Sequence, residues 1–105
     1  MSQWNIAAAQ YGGQYHSVDE HVTHHLRFIA EAAQQQCDLL VFPELSLTGS
    51  GTTTLPPPPC DAQLEPLLDA AHFYQISVIA GLPLERNGQR QKGLVLFTPC
   101  LLYTS

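Results

Sequence analysis

The chain has 105 residues, 45% of them hydrophobic and only 12% charged, and its 4 basic and 9 acidic residues leave a net charge of −5. That length holds one small domain rather than two, and that composition builds a buried core rather than a disordered segment. The acidic balance gives no electrostatic footprint for nucleic acid or an anionic membrane, and no apolar run approaches the ~20 residues of a transmembrane helix.

In chain order, "WNIAAAQ" at residues 4–10 reads as a first strand and "YGGQYH" as a loop. Ser17 then opens a helix, with Glu20 three residues on as the partner of a capping box. Val18, Val22, Leu26, Ile29, Ala30 and Ala33 recur at spacings of three and four, one helical face, and predict a helix from Val18 to about Gln35. Asp19, His21, Thr23, Arg27 and Gln34 fall on the opposite face, which is expected to be solvated. "LLVF", Leu39 to Phe42, is a second strand; its unbroken apolar run suits a strand covered on both faces. Strand, helix and strand joined by short loops form a βαβ unit with parallel strands.

"SGTTTLPPPPC" at residues 50–60 is a loop, and Pro56 to Pro59 stiffen it into a rigid surface connection. Pro66 is tolerated in a first helical turn, so the second helix is expected to begin near Gln63 to Glu65, with Leu64, Leu67, Leu68 and Ala71 as its buried stripe. "ISVIAG", residues 76–81, is a third strand. Asn87-Gly88 is a strong hairpin-turn signal, and "KGLVLFT" follows as a fourth strand. The expected class is α/β, in the order β-α-β-α-β-β, with no internal repeat and no linker.

One residue stands out chemically. Pro43 forces Phe42 into an extended conformation, so the second strand runs to its edge before the chain turns. Glu44 then lies at the carboxyl end of a parallel strand, where open α/β sheets place their ligand crevice. A carboxylate held there by apolar neighbours would have a raised pKa and could act as a general base. The alternative is that it caps the following turn or pairs with an arginine. Other candidates are weaker. His21 and His25 are four apart with His24 beside them, a spacing that can share a metal, but no carboxylate or cysteine completes a set. They are expected as polar surface histidines, and no metal or cofactor is assigned. His72 is expected to be partly buried and hydrogen-bonded. Gly12-Gly13 lacks the spacing of a phosphate loop. Cys37, Cys60 and Cys100 are odd in number, form no CxxC, and argue against a disulfide framework. Cys37 reads as a small buried hydrophobe. Cys100 has no histidine near it in sequence and makes a poor nucleophile candidate.

The run of "IAAAQ", a helix, "CDLLVFPELSLTG", a second helix and "ISVIAGLP" resembles the N-terminal part of the nitrilase superfamily of carbon–nitrogen hydrolases, over residues 4 to about 98. The family motif is usually followed by an aromatic residue where this chain has Ser50, which bears on local pocket shape. The resemblance implies an α-β-β-α sandwich and a Glu–Lys–Cys triad, with the glutamate falling on Glu44. It implies general-base work for that glutamate, an oxyanion-stabilising lysine, and a cysteine that attacks a small amide or nitrile and forms a thioester-type intermediate. The family's lysine and cysteine come further along than Ser105. Lys92 and Cys100 stand where the family has other features, so neither role is carried onto them.

Residues 1–99 are therefore expected to be the N-terminal portion of such a hydrolase domain, and 100–105, "CLLYTS", a tail that departs from the family's course and is expected to be non-native. The chain by itself is expected to be inactive. The full-length form is expected to act on a small-molecule amide or nitrile, with amides the commoner substrates of the family, and to be a homo-oligomer. "MSQWNIAAAQ" has neither a basic segment nor a long apolar one, so it does not read as a signal peptide and a cytoplasmic location is expected. Two non-catalytic readings compete. A receiver-like binding module would need an acidic pair after its first strand and an aspartate after its next; Gln10 and Glu44 stand there instead. An interaction module would act through Pro56 to Pro59.

Overall fold

The computed structural model describes residues 5–10, 17–48 and 57–99. Strands β1 (Ile6–Ala8), β2 (Leu39–Val41), β3 (Ser77–Arg86) and β4 (Gln89–Phe97) form one sheet in the order β1-β2-β3-β4. The first three are parallel and β4 returns antiparallel, which is the expected β-α-β-α-β-β order. Helices α1 (Val18–Gln34) and α2 (Asp61–Tyr74) make the two crossovers. Both crossovers step the same way along the sheet, so handedness puts both helices on one face, where they pack against each other.

The core lies between that face and the helices. Leu40, Val78, Ala80, Leu82 and Phe97 from the sheet meet Val22, Ile29, Ala32, Leu67, Ala70 and Ala71 from the helices. The strand period of two sends the alternate residues to the other face. There Ala8, Val41, Ile79 and Leu96 stand in register across all four strands. Leu39 and Val41 are only half-buried, so β2 is covered on one face and not on both as its apolar run suggested.

Local chemistry explains the helix ends. The Ser17 hydroxyl accepts the Glu20 backbone N–H at 3.2 Å, the expected cap. At the other end Gln36 adopts φ 62°, and the Gln36 and Cys37 N–H groups donate back to the carbonyls of Ala33 and Ala32. This left-handed closure absorbs orphan carbonyls. Asn5 ties the same corner to β1 by donating its side-chain amide to the Gln36 carbonyl at 3.1 Å and its backbone N–H to Asp38 Oδ2 at 2.9 Å.

Three elements depart from expectation. Helix α2 starts at Asp61 rather than at Gln63 to Glu65, because the Cys60 N–H donates to Gln63 Oε1 at 3.1 Å and opens the helix earlier. Pro66 therefore sits inside it. The Ala62 carbonyl loses its partner, but Ala62 and Pro66 are both exposed, so water can replace that bond. Strands β3 and β4 extend past their apolar stretches to the Asn87-Gly88 turn, whose φ values of 54° and 76° make the tight two-residue loop that the pair announced. Pro83 is admitted to β3 by its register. Ser77 N–H and the Ile79 and Gly81 carbonyls bond on the β2 side, so the odd positions face away from β4 and Pro83 removes no bond from the hairpin.

Candidate active site

The motif turn, Pro43 to Thr48, is built directly on β3. Phe42 N–H donates to the Ile79 carbonyl at 2.8 Å and Leu47 N–H to the Gly81 carbonyl at 2.9 Å, so the chain keeps contact with β3 beyond the end of β2. Between those bonds the backbone rises over Gly81. A Cβ at that position would lie 2.3 Å from Leu45 N, 2.7 Å from Pro43 O and 2.8 Å from the Glu44 carbonyl carbon. Only glycine lets the turn lie this close. Leu45, at φ 54°, and Leu47 are buried and anchor the turn on either side of Ser46.

Glu44 is carried at the top of this turn, at the carboxyl end of β2 as expected. Its surroundings differ from those expected. The side chain is 72% exposed, and its carboxylate oxygen lies 3.7 Å from Lys92 Nζ, itself 56% exposed. Lys92 is opposite Pro83 in the hairpin register, so it shares the face of Gly81, Leu94 and Leu96, the face away from the helices. The apolar shell anticipated for this carboxylate is not supplied by the described residues. An ion pair this exposed holds geometry only loosely.

Beneath the turn is a buried polar link, where surface histidines are expected. His21 and His25 are buried, at 1% and 0% exposure, on the core side of α1. His25 Nδ1 lies 2.6 Å from the His21 carbonyl and Nε2 lies 2.9 Å from Ser46 Oγ. Ser46 Oγ also accepts the Gly81 N–H at 3.2 Å. The His25 ring stacks on Phe42 at 4.1 Å between centroids. Burial pushes the His25 pKa down to about 4, with the nearby His21 and His24 adding to the fall and the bond to the His21 carbonyl opposing it.

The other candidates disperse. His72 is exposed rather than partly buried, with Nδ1 2.7 Å from the Pro99 carbonyl. Cys37 is half-buried against the core and Cys60 is exposed. Among the described residues no group of three or more His, Cys, Asp and Glu could hold a metal ion, and no helix is long and apolar enough to cross a membrane. Gly12-Gly13, Ser50, Pro56 and Cys100 lie outside the described residues.

A family model for carbon–nitrogen hydrolases matches residues 5–103. The chain belongs to this family. Its fold agrees with that of solved hydrolases and synthetases. A cysteine-to-serine mutant of the Nesterenkonia AN1 amidase, from the nitrilase superfamily, superposes with a TM-score of 0.76 at 21% identity, over 99% of this chain and 42% of the amidase. The glutamine-dependent NAD(+) synthetase of Cytophaga hutchinsonii gives 0.69 at 23% identity, over 93% of this chain and 17% of the synthetase. The corresponding synthetase from Acinetobacter baumannii gives 0.72 at 18% identity, over 94% and 19%. This carbon–nitrogen hydrolase chain thus spans about two fifths of the amidase's length. A glutamate-to-leucine mutant of the Nesterenkonia amidase shows covalent addition of the acetamide moiety of fluoroacetamide at the active-site cysteine, and a cysteine-to-alanine mutant is in complex with butyramide.

Proposed function

We propose that the chain is the glutamate-bearing part of a hydrolase that cleaves a small amide, with Glu44 as the general base. The observation that carries this reading is the Glu44 turn. It stands at the carboxyl end of β2, is pinned to β3 across Gly81, and points its carboxylate to the sheet face away from the helices. A reacting group brought to that face by the rest of a longer protein would meet a carboxylate whose backbone cannot drift.

In the chemistry the resemblance implies, Glu44 takes the proton of a cysteine thiol, and the thiolate adds to the amide carbon. The tetrahedral intermediate collapses as the amine leaves with that proton, and a thioester remains. Glu44 then takes a proton from water as its oxygen attacks the thioester, and the acid leaves as the thiol is re-formed. The nucleophilic cysteine and the oxyanion-stabilising lysine are not assigned to any residue of this chain. The acetamide-derived and butyramide complexes of the Nesterenkonia amidase support a small amide over a bulky one as substrate class.

The test uses the full-length protein that carries this segment, with short aliphatic amides and nitriles as substrates and acid and ammonia as the products measured. Glu44→Gln keeps the size and removes the base. It is expected to lower kcat about 10²–10⁴-fold with the thermal midpoint little changed. Full activity in Glu44→Gln would overturn the reading.

A further inference from the structure

We propose that Ser46 and His25 are positioning residues for Glu44: they form a directional hydrogen-bonded clamp that ties the motif turn to helix α1 and to β3. The inference rests on the functional reading of Glu44 given above, and adds to it which side chains hold the base in place.

The atoms admit one proton arrangement. The His21 carbonyl can only accept, so His25 Nδ1 carries the ring proton and donates across the 2.6 Å contact. His25 Nε2 then has a lone pair, and the Ser46 hydroxyl donates to it at 2.9 Å. The Ser46 oxygen keeps a lone pair free for the Gly81 N–H at 3.2 Å. The chain of bonds therefore runs from β3 through the turn to α1. Ser46 is 3% exposed and His25 is fully buried, so water cannot substitute for any member. The stacked ring of Phe42 fixes the imidazole plane from the side of the strand that leads into the turn.

The position of the clamp gives it its effect. Ser46 is two residues from Glu44, and its partners lie on the two elements that the turn must be registered against. The exposed contact to Lys92 leaves the carboxylate end mobile, while the clamp holds the backbone end. Cutting the bond at Ser46 removes the acceptor of the Gly81 N–H and the hydroxyl that reaches His25 Nε2 beneath the turn. The turn then shifts to recover them, and takes Glu44 with it. A shift of about 1 Å at a reacting group costs on the order of 100-fold in rate.

The experiment is made on the full-length protein. Ser46→Ala is expected to lower kcat for amide hydrolysis about 10–100-fold with KM within about twofold, and Ser46→Thr, which keeps the hydroxyl, to retain most of the rate. A Ser46→Ala protein with a lowered thermal midpoint and an unchanged kcat would overturn the proposal, because a purely structural bond behaves that way. The ring nitrogens of His25, read by ¹⁵N NMR at neutral pH, provide a second test that needs no variant. The proton is expected on Nδ1, and a proton on Nε2 would overturn the clamp. Should the wild-type protein hydrolyse no amide or nitrile, the functional reading fails separately. The clamp is then decided by that NMR signal and by a crystal structure of Ser46→Ala, in which a displaced Glu44 turn supports it and an unmoved turn overturns it.

Discussion

His25 shows how one residue can carry two meanings. Read by its chemistry, it belongs with His21 and His24 as a polar cluster. Read by its spacing, it belongs with Val22, Ile29 and Ala32, which fall three, four and three apart with it on a single stripe of α1. Packing follows the spacing, because a buried imidazole is stable wherever both ring nitrogens find partners. The burial has a consequence for acid stability. The folded-state pKa of about 4 lies below the ordinary 6.5, so across that interval the unfolded chain binds a proton that the folded chain does not. Stability from this group is fully present above pH 6.5 and is lost as pH falls towards 4, by about 3 kcal/mol in all. Thermal unfolding of the full-length protein across this window, compared with His25→Gln, measures the loss. The variant is expected to lose less, and equal losses would remove His25 as the cause. The place of Glu44 at the end of β2, by contrast, was legible, because Pro43 holds Phe42 extended and ends the strand there. What the sequence could not show was its exposure, which depends on which neighbours reach the same face.

At the scale of elements, the strands and helices were readable in order and type, and the errors trace to proline and to the hairpin. Pro66 set too late a start for α2 because confinement to the first turn is a rule about buried carbonyls, and the Ala62 carbonyl meets water. Strands β3 and β4 run on through the polar stretch to the turn, and counting outward from Asn87-Gly88 pairs Pro83 with Lys92 and Gly81 with Leu94. That count was available from the sequence and would have put Lys92 on the Glu44 face. Gly81 is the element-level pivot of the site. It is where the backbones of β3 and the motif turn lie against each other, and its missing side chain is a condition of that contact. Gly81→Ala would force a methyl against the Leu45 amide nitrogen, and backbone cannot rotate away as a side chain can. We expect a cost of about 1–3 kcal/mol, read as a lower denaturation midpoint in the full-length protein. An unchanged midpoint would mean that the turn is free to lift off β3.

For the whole molecule, the deciding fact is that helices cover one face of the sheet while much of the other stays exposed among the described residues. Ile6, Leu94 and Leu96 are 63%, 62% and 53% exposed. They share that face with Ala8, Val41 and Ile79, so the exposed side chains form a continuous apolar surface rather than scattered points. A surface of this kind is rare on an isolated soluble domain and drives association. The sandwich implied by the family resemblance would place a second sheet there, and a chain covering 42% of the amidase leaves the larger part of that protein to supply it. Burying one leucine side chain is worth roughly 1.5–3 kcal/mol, so a few such residues outweigh the modest net stability of a domain this size. We therefore expect the 105-residue chain, prepared alone, to self-associate at micromolar concentration in sedimentation velocity. Leu94→Lys with Leu96→Lys should shift it towards monomer without altering its circular dichroism, because both side chains point away from the helices and the core. The outer edge of β4, unpaired among the described residues, is the competing route to association, through backbone rather than side chains. The two routes separate cleanly. If the double substitution leaves the sedimentation profile unchanged, the strand edge and not the sheet face holds the copies together. A wild-type chain that sediments as a monomer would sink both routes, and the bare face would then be stable in water as it stands.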